Sequence, residues 1–109
     1  MASINNAMPG ISRHNDRAAT GHGCSATAQC IATARTVFVE GIRILRRGDK
    51  LKPHFIPNKS PPPLCIIHPN AKVNVGSRTV FAEGIPVARF GDSADKGSMI
   101  KASRVVIAG

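Results

Sequence analysis

The sequence predicts an all-β fold of three quasi-equivalent units, built from short hairpins joined by long loops. Three observations point there: a fifteen-residue segment that occurs twice, a half copy of it towards each end of the chain, and a composition rich in turn formers.

The two full copies span residues 35–49 and 78–92, and ten of their fifteen positions are identical. Each reads as a β-hairpin, because a β-branched and aromatic run leads to Glu-Gly and then to a second apolar run. Gly41 and Gly84 supply the positive φ that a two-residue connection requires. Each copy closes on Arg-x-Gly-Asp, a polar corner whose Asp is suited to accept backbone N–H bonds. The half copies complete the pattern. Arg13-His14-Asn15-Asp16 matches the corner, with Asn in the place of Gly, and Asn is the usual second choice at positive φ. Residues 104–109 resemble the opening Arg-Thr-Val-Phe. The chain thus begins in the second half of one unit and ends in the first half of another. The halves can join in space, which predicts a closed object with pseudo-threefold symmetry.

Composition sets the limits. The chain of 109 residues reads as a lead-in over 1–10, small, polar and without period, followed by one domain over 11–109. Eight Pro and ten Gly argue for turns and against helix. Four Phe with no Trp or Tyr make a marginal core, and such folds often need a metal, disulfides or a partner. No apolar run is long enough to span a membrane, and no secretory signal is visible. Three cysteines are an odd number, which favours thiol or metal roles over a disulfide framework. The net charge of +9 includes a local cluster of Arg43, Arg46, Arg47, Lys50 and Lys52. No aromatic residues alternate with that cluster, so a basic, metal-stapled nucleic-acid module is the weaker reading.

Between the units, residues 26–34 read as loop and strand, with Cys30 as a buried thiol. Residues 50–75 form a long irregular stretch around the triplet Pro61-Pro62-Pro63, which favours an extended polyproline segment. Residues 64–67 are apolar enough to be expected to pack. Residues 93–98 read as a short loop, followed by a last apolar run over 99–107.

The loops that follow the three corners should point the same way. His22 lies six residues after Asp16, His54 five after Asp49, and His68 further along the second loop. Neutral imidazole is the commonest metal ligand, and four ligands close a structural zinc site. Two cysteines are candidates for the fourth position: Cys65, in Cys-x-x-His with His68, and Cys24, two residues from His22. His14, inside a corner, reads as a packing or hydrogen-bonding residue. Catalysis would also require an open position and a base. Glu40 and Glu83 fall in turns, Asp16, Asp49 and Asp92 in corners, and Asp95 stands alone in the third loop, so no enzyme is expected.

The repeated Thr-Val-Phe-x-Glu-Gly-Ile closing on Arg-x-Gly-Asp resembles the signature of the PAAR-repeat proteins. Pro86-Val87-Ala88-Arg89 stands where that family's Pro-Ala-Ala-Arg is expected. The stretch from Arg13 to Gly21-His22-Gly23-Cys24 resembles its phage-type members, and the likeness covers residues 10–109. It implies a small cone of short strands. The base of the cone caps the trimeric β-helical spike of a contractile phage tail or, as the alternative, of a type VI secretion needle. A metal, usually held by three His and one Cys, sharpens the tip. Carried over, the resemblance implies His22, His54 and His68 as ligands, with zinc expected first and iron second. The family's Cys would fall close to Lys96, whose three protons leave no lone pair. Cys65, Cys24 or water would then complete the site. The resemblance also implies that Val37, Phe38, Val80, Phe81, Val105 and Ile107 stack on the last layer of the spike. The expectation is a monomeric tip, one per trimer, that touches the host envelope transiently, binds no specific nucleic acid, and sits at the distal end of the virion's baseplate spike. The Gly-His-Gly-Cys likeness and the lack of an effector domain lean towards phage.

Overall fold

Ten short strands pair into five antiparallel hairpins in a computed structural model that describes residues 9–58 and 64–109. The expectations for residues 1–8 and for the prolines at 61–63 fall outside the described residues. In chain order, β1 (Arg17–Ala19) pairs with β2 (Thr27–Gln29), β3 (Phe38–Val39) with β4 (Ile42–Arg43), and β5 (His54–Asn58) with β6 (Leu64–His68). β7 (Phe81–Ala82) pairs with β8 (Ile85–Pro86), and β9 (Ser93–Ala94) with β10 (Gly97–Ser98). No helix occurs among the described residues.

The two full repeats form the predicted hairpins. Glu40 and Gly41 have φ of 55° and 77°, and Glu83 and Gly84 have 51° and 82°. Positive φ at both central residues is the type I′ turn, whose twist matches that of the flanking strands. The corners also form as expected. Asn15, Gly48 and Gly91 take φ of 70°, 90° and 86°. In each corner the Asp Oδ2 accepts the N–H of the Arg three residues earlier: Arg13 to Asp16 at 2.8 Å, Arg46 to Asp49 at 2.9 Å and Arg89 to Asp92 at 2.8 Å.

Hydrogen bonds close the three units into a ring. The Leu45 N–H donates to the Ser12 carbonyl at 3.0 Å, the Ala88 N–H to Leu45 at 2.9 Å, and the Ser12 N–H to Ala88 at 2.9 Å. The bridges Arg13 to Ile44, Arg46 to Val87 and Ile11 to Arg89 run round in the same sense. The third unit is assembled from both ends of the chain. Ile11 N–H donates to the Val106 carbonyl at 2.9 Å, just as Ile44 does to Val37 at 3.0 Å and Val87 to Val80 at 3.1 Å. Gly10 bridges Ile107, so the lead-in is docked by its last residues.

The core lies in two layers. Ile11, Val39, Ile44, Ala82, Val87 and Ala108 are buried behind the hairpins, and Val37, Val80 and Val106 pack against them. Leu45, Leu51 and the equivalent trio Cys30, Val73 and Met99 fill the layer behind the corners. Among the described residues, nine of the eighteen buried apolar residues are Ala, which suits short strands that approach closely around an axis.

Two sequence expectations are corrected here. Residues 64–67 do not pack: Leu64, Ile66 and Ile67 are 57%, 44% and 57% exposed. The reason is topological, since among the described residues β6 pairs with β5 alone in a two-stranded ribbon whose apolar side chains at 64, 66 and 67 have no further sheet to cover them. Residues 93–98 are the hairpin β9–β10 and not an irregular loop.

Candidate metal centre

Beyond the second core layer, His22, His54, His68 and Asp95 converge, and their potential ligand atoms all lie within 4.8 Å of one another. Each unit supplies its part differently. The register of β5 and β6 places His54 opposite His68, so one hairpin delivers two imidazoles. His22 sits in a loop held by Thr20, whose hydroxyl accepts the His22 N–H at 3.1 Å and donates to the Ser25 carbonyl at 2.6 Å. Asp95 occupies the turn of β9–β10 at a φ of 52°. Its N–H donates to Lys72 at 2.9 Å, and its carbonyl accepts from the Asn74 side chain at 2.9 Å. The loop and the turn meet closely: a Cβ on Gly97 would come within 2.0 Å of the Ala19 carbonyl oxygen, so only glycine fits there.

The Asp95 carboxylate links the cluster. His22 Nε2 lies 3.1 Å from Oδ1 and His54 Nε2 2.8 Å from Oδ2. His54 Nδ1 lies 3.0 Å from the Lys52 carbonyl, so a neutral imidazole protonated at Nδ1 would present its Nε2 lone pair to a cation placed between Nε2 and the Asp95 carboxylate. His68 Nδ1 is buried and has no hydrogen-bond partner, since Asp95 Oδ2 at 3.6 Å is too far for one. An imidazole protonated at Nε2 would direct the Nδ1 lone pair into the cluster. A buried polar atom left unsatisfied is costly, and a cation among the four groups would satisfy it. Three imidazoles and one carboxylate form a donor set suited to zinc or to iron. The four residues thus fit a metal ion.

The cysteines are not part of this set. Cys24 and Cys65, the two candidates for the fourth position, form a disulfide with each other, with Cα atoms 6.0 Å apart. This corrects both the ligand assignment and the expectation against disulfides. The cause is the docking of the His22 loop on β5, where the Ser25 N–H donates to the Phe55 carbonyl at 3.1 Å and the Phe55 N–H to Ser25 Oγ at 3.0 Å. That seat brings Cys24 to Cys65 on the adjacent strand. Once oxidised, neither sulfur offers a thiolate. Cys30 is the buried free thiol expected, and burial pushes its pKa up to about 12. Asp95 is the residue the sequence reading missed. Its signal was its place beside Lys96, where the resemblance puts the fourth ligand. Lys96 itself is exposed.

His14 takes the hydrogen-bonding role expected of it. Its Nδ1 accepts the Ala32 N–H at 3.0 Å, and burial, with Arg43 and Lys52 nearby, holds its pKa below the usual value.

At the opposite layer, the residues expected to meet a partner divide into two kinds. Phe38, Phe81 and Ile107 are equivalent in the repeat and similarly exposed, at 53%, 55% and 49%. Val105 is more exposed still, whereas Val37 and Val80 are half-buried against the core.

No curated protein matches the chain significantly. A family model, described as the PAAR motif, matches residues 20–102, which include both full repeats, the β5–β6 hairpin and all four cluster residues. Family membership carries a spike-tip role in contractile injection systems, of phage tails or of type VI secretion, and by this match the chain belongs to the PAAR-motif family.

Proposed function

We propose that the protein is the tip of a contractile phage tail, seated one copy per trimer on the end of a β-helical spike at the distal point of the baseplate. The observation that carries this reading is the hydrogen-bonded ring through Ser12, Leu45 and Ala88. A single chain with a threefold base can make three equal contacts with a true trimer. The exposed Phe38, Phe81 and Ile107 provide equivalent apolar contacts, and covering them would also protect exposed strand edges.

His22, His54, His68 and Asp95 would hold one ion, zinc in the first instance and iron in the second. The ion would cross-link three chain segments that the small core cannot fix alone. The role is mechanical and not catalytic: among the described residues Asp95 is the one carboxylate in the cluster, and it serves as a donor. The phage assignment is supported by the Gly21-His22-Gly23-Cys24 likeness, and a type VI tip would use the same base.

The test is to mix the protein with the C-terminal β-helical trimer of the spike from the same particle and measure the mass of the complex by sedimentation. One chain per trimer is expected. Three chains per trimer, or no complex, would overturn the reading. Detection of the protein in purified virions, and not in secreted fractions, would decide between phage tail and secretion needle.

A further inference from the structure

An internal repeat allows a comparison that a single-copy chain does not: a residue kept in all three units serves something the units share. Three sets are identical in every unit. Val37, Val80 and Val106 are one, and all three pack against the core. The corner Arg and Asp residues are another. Each Arg–Asp pair is joined by the backbone bond described above, and two of the three by guanidinium contacts as well. The third set is Arg35, Arg78 and Arg104, which open the three units.

That third set has no internal explanation. All three arginines are exposed, and among the described residues their guanidinium groups make no hydrogen bond or ion pair. The positions beside them vary: Thr36 and Thr79 correspond to Val105, Phe38 and Phe81 to Ile107, and Val39 to Ala82 and Ala108. The acidic residues in the hairpin turns are already engaged. Glu40 pairs with Arg13 at 2.9 Å, and Glu83 with Arg46 at 3.2 Å while also accepting the Arg35 N–H at 2.9 Å. Each opening arginine lies three residues before one of the exposed apolar side chains. The burial pattern across these segments is the same in all three units.

We infer that Arg35, Arg78 and Arg104 are a threefold set of carboxylate receptors around Phe38, Phe81 and Ile107, and that the partner is a homotrimer whose end presents three symmetry-related carboxylates around an apolar centre. The inference rests on the spike-tip reading and specifies the chemistry of the partner. A guanidinium fork matches a carboxylate in bidentate geometry, which an ammonium does not. Exposed pairs of this kind set rotational register and association rate more than affinity, and three equal pairs suit a joint on a threefold axis.

The experiment measures binding to the same β-helical spike trimer at low and at high salt. It compares wild type, the triple Arg→Gln variant at 35, 78 and 104, the triple Arg→Lys variant, and Phe38→Asp with Phe81→Asp. Thermal melting checks that each variant folds. The triple Gln variant is expected to bind about tenfold more weakly at low salt and to lose most of the salt dependence. The Lys variant should recover part of the loss. Unchanged affinity and salt dependence in the Gln variant would overturn the inference, and loss of binding in the Phe variant would then leave the spike-tip reading standing. Failure of wild type to bind would overturn both. Phosphatidylglycerol vesicles provide the remaining comparison. If the Gln variant loses vesicle binding and keeps spike binding, the arginines serve a phosphate surface and the carboxylate assignment is wrong.

Discussion

The two ends of this molecule are held together in different ways. The base is symmetric: three units contribute the same hydrogen bonds, the same corners and the same half-buried valines. The apex is not. One unit gives a loop with His22, the second a hairpin with His54 and His68, and the third a turn with Asp95. A base that repeats can be stabilised by local rules applied three times. An apex that differs in every unit has no ring of equal bonds and depends on cross-links, here the Cys24–Cys65 disulfide and the candidate metal centre. Symmetry lies at the end proposed to meet a trimer, and asymmetry at the end that holds the candidate metal centre.

This contrast can be broken at either end. The largest effect should come from the metal. If about 4 kcal/mol of binding energy is linked to folding, removal by a chelator should lower the melting temperature by roughly 20 °C. His54→Ala, which loses a candidate ligand that is 4% exposed, should melt at the chelated value and show no further response to chelator. Differential scanning calorimetry with and without chelator checks both statements. Next in size is the disulfide, which closes a sequence separation of 41 residues and should contribute about 3–4 kcal/mol to the metal-free protein. Melting with and without reductant measures it. With metal bound the loss should be smaller, because the ion restrains the same segments.

At the base the effects should be independent of metal. Asp49 is buried and accepts hydrogen bonds from the Arg46 N–H and the Thr33 hydroxyl. Asp49→Ala should cost about 2–3 kcal/mol while leaving metal content unchanged, read by denaturant titration alongside elemental analysis. The smallest effect is a pH dependence at the hairpin turn. Hydrogen bonds from the Thr36 hydroxyl and backbone, and from the Arg35 backbone, hold the Glu83 carboxyl below its usual value of 4.5. A depressed carboxyl contributes stability above its unfolded pKa and loses it as pH falls through the lower folded value. Wild type should therefore lose slightly more stability than Glu83→Gln as the pH is lowered from about 4.5, measured as the difference between the two melting curves.

The symmetric end was the legible one. Identity between residues 35–49 and 78–92, with the half copies at the ends, specified the hairpins, the corners and the closure of the ring, because those depend on local turn chemistry and a repeated apolar pattern. The three histidines were legible as a group for the same reason, since corners that align must send their loops in one direction. The rest depended on how the loops dock. The pairing of Cys24 with Cys65 follows from the seat of the His22 loop on β5, a contact between segments far apart in sequence. Asp95 was hidden because it stands three residues after its corner, against six for His22 and five for His54. The exposure of residues 64–67 was equally illegible, since an apolar strand does not announce that, among the described residues, the one strand it pairs with is the other arm of its own hairpin.

A repeat-built base with a metal-held apex can be probed by native mass spectrometry of the oxidised protein purified without added metal or affinity tag. Wild type should carry one ion per chain, with the mass identifying zinc or iron, and Asp95→Ala should carry none while keeping its fold. A folded wild-type chain without metal, or an Asp95→Ala variant that retains its ion, would rule out an apex held by a metal at these four residues.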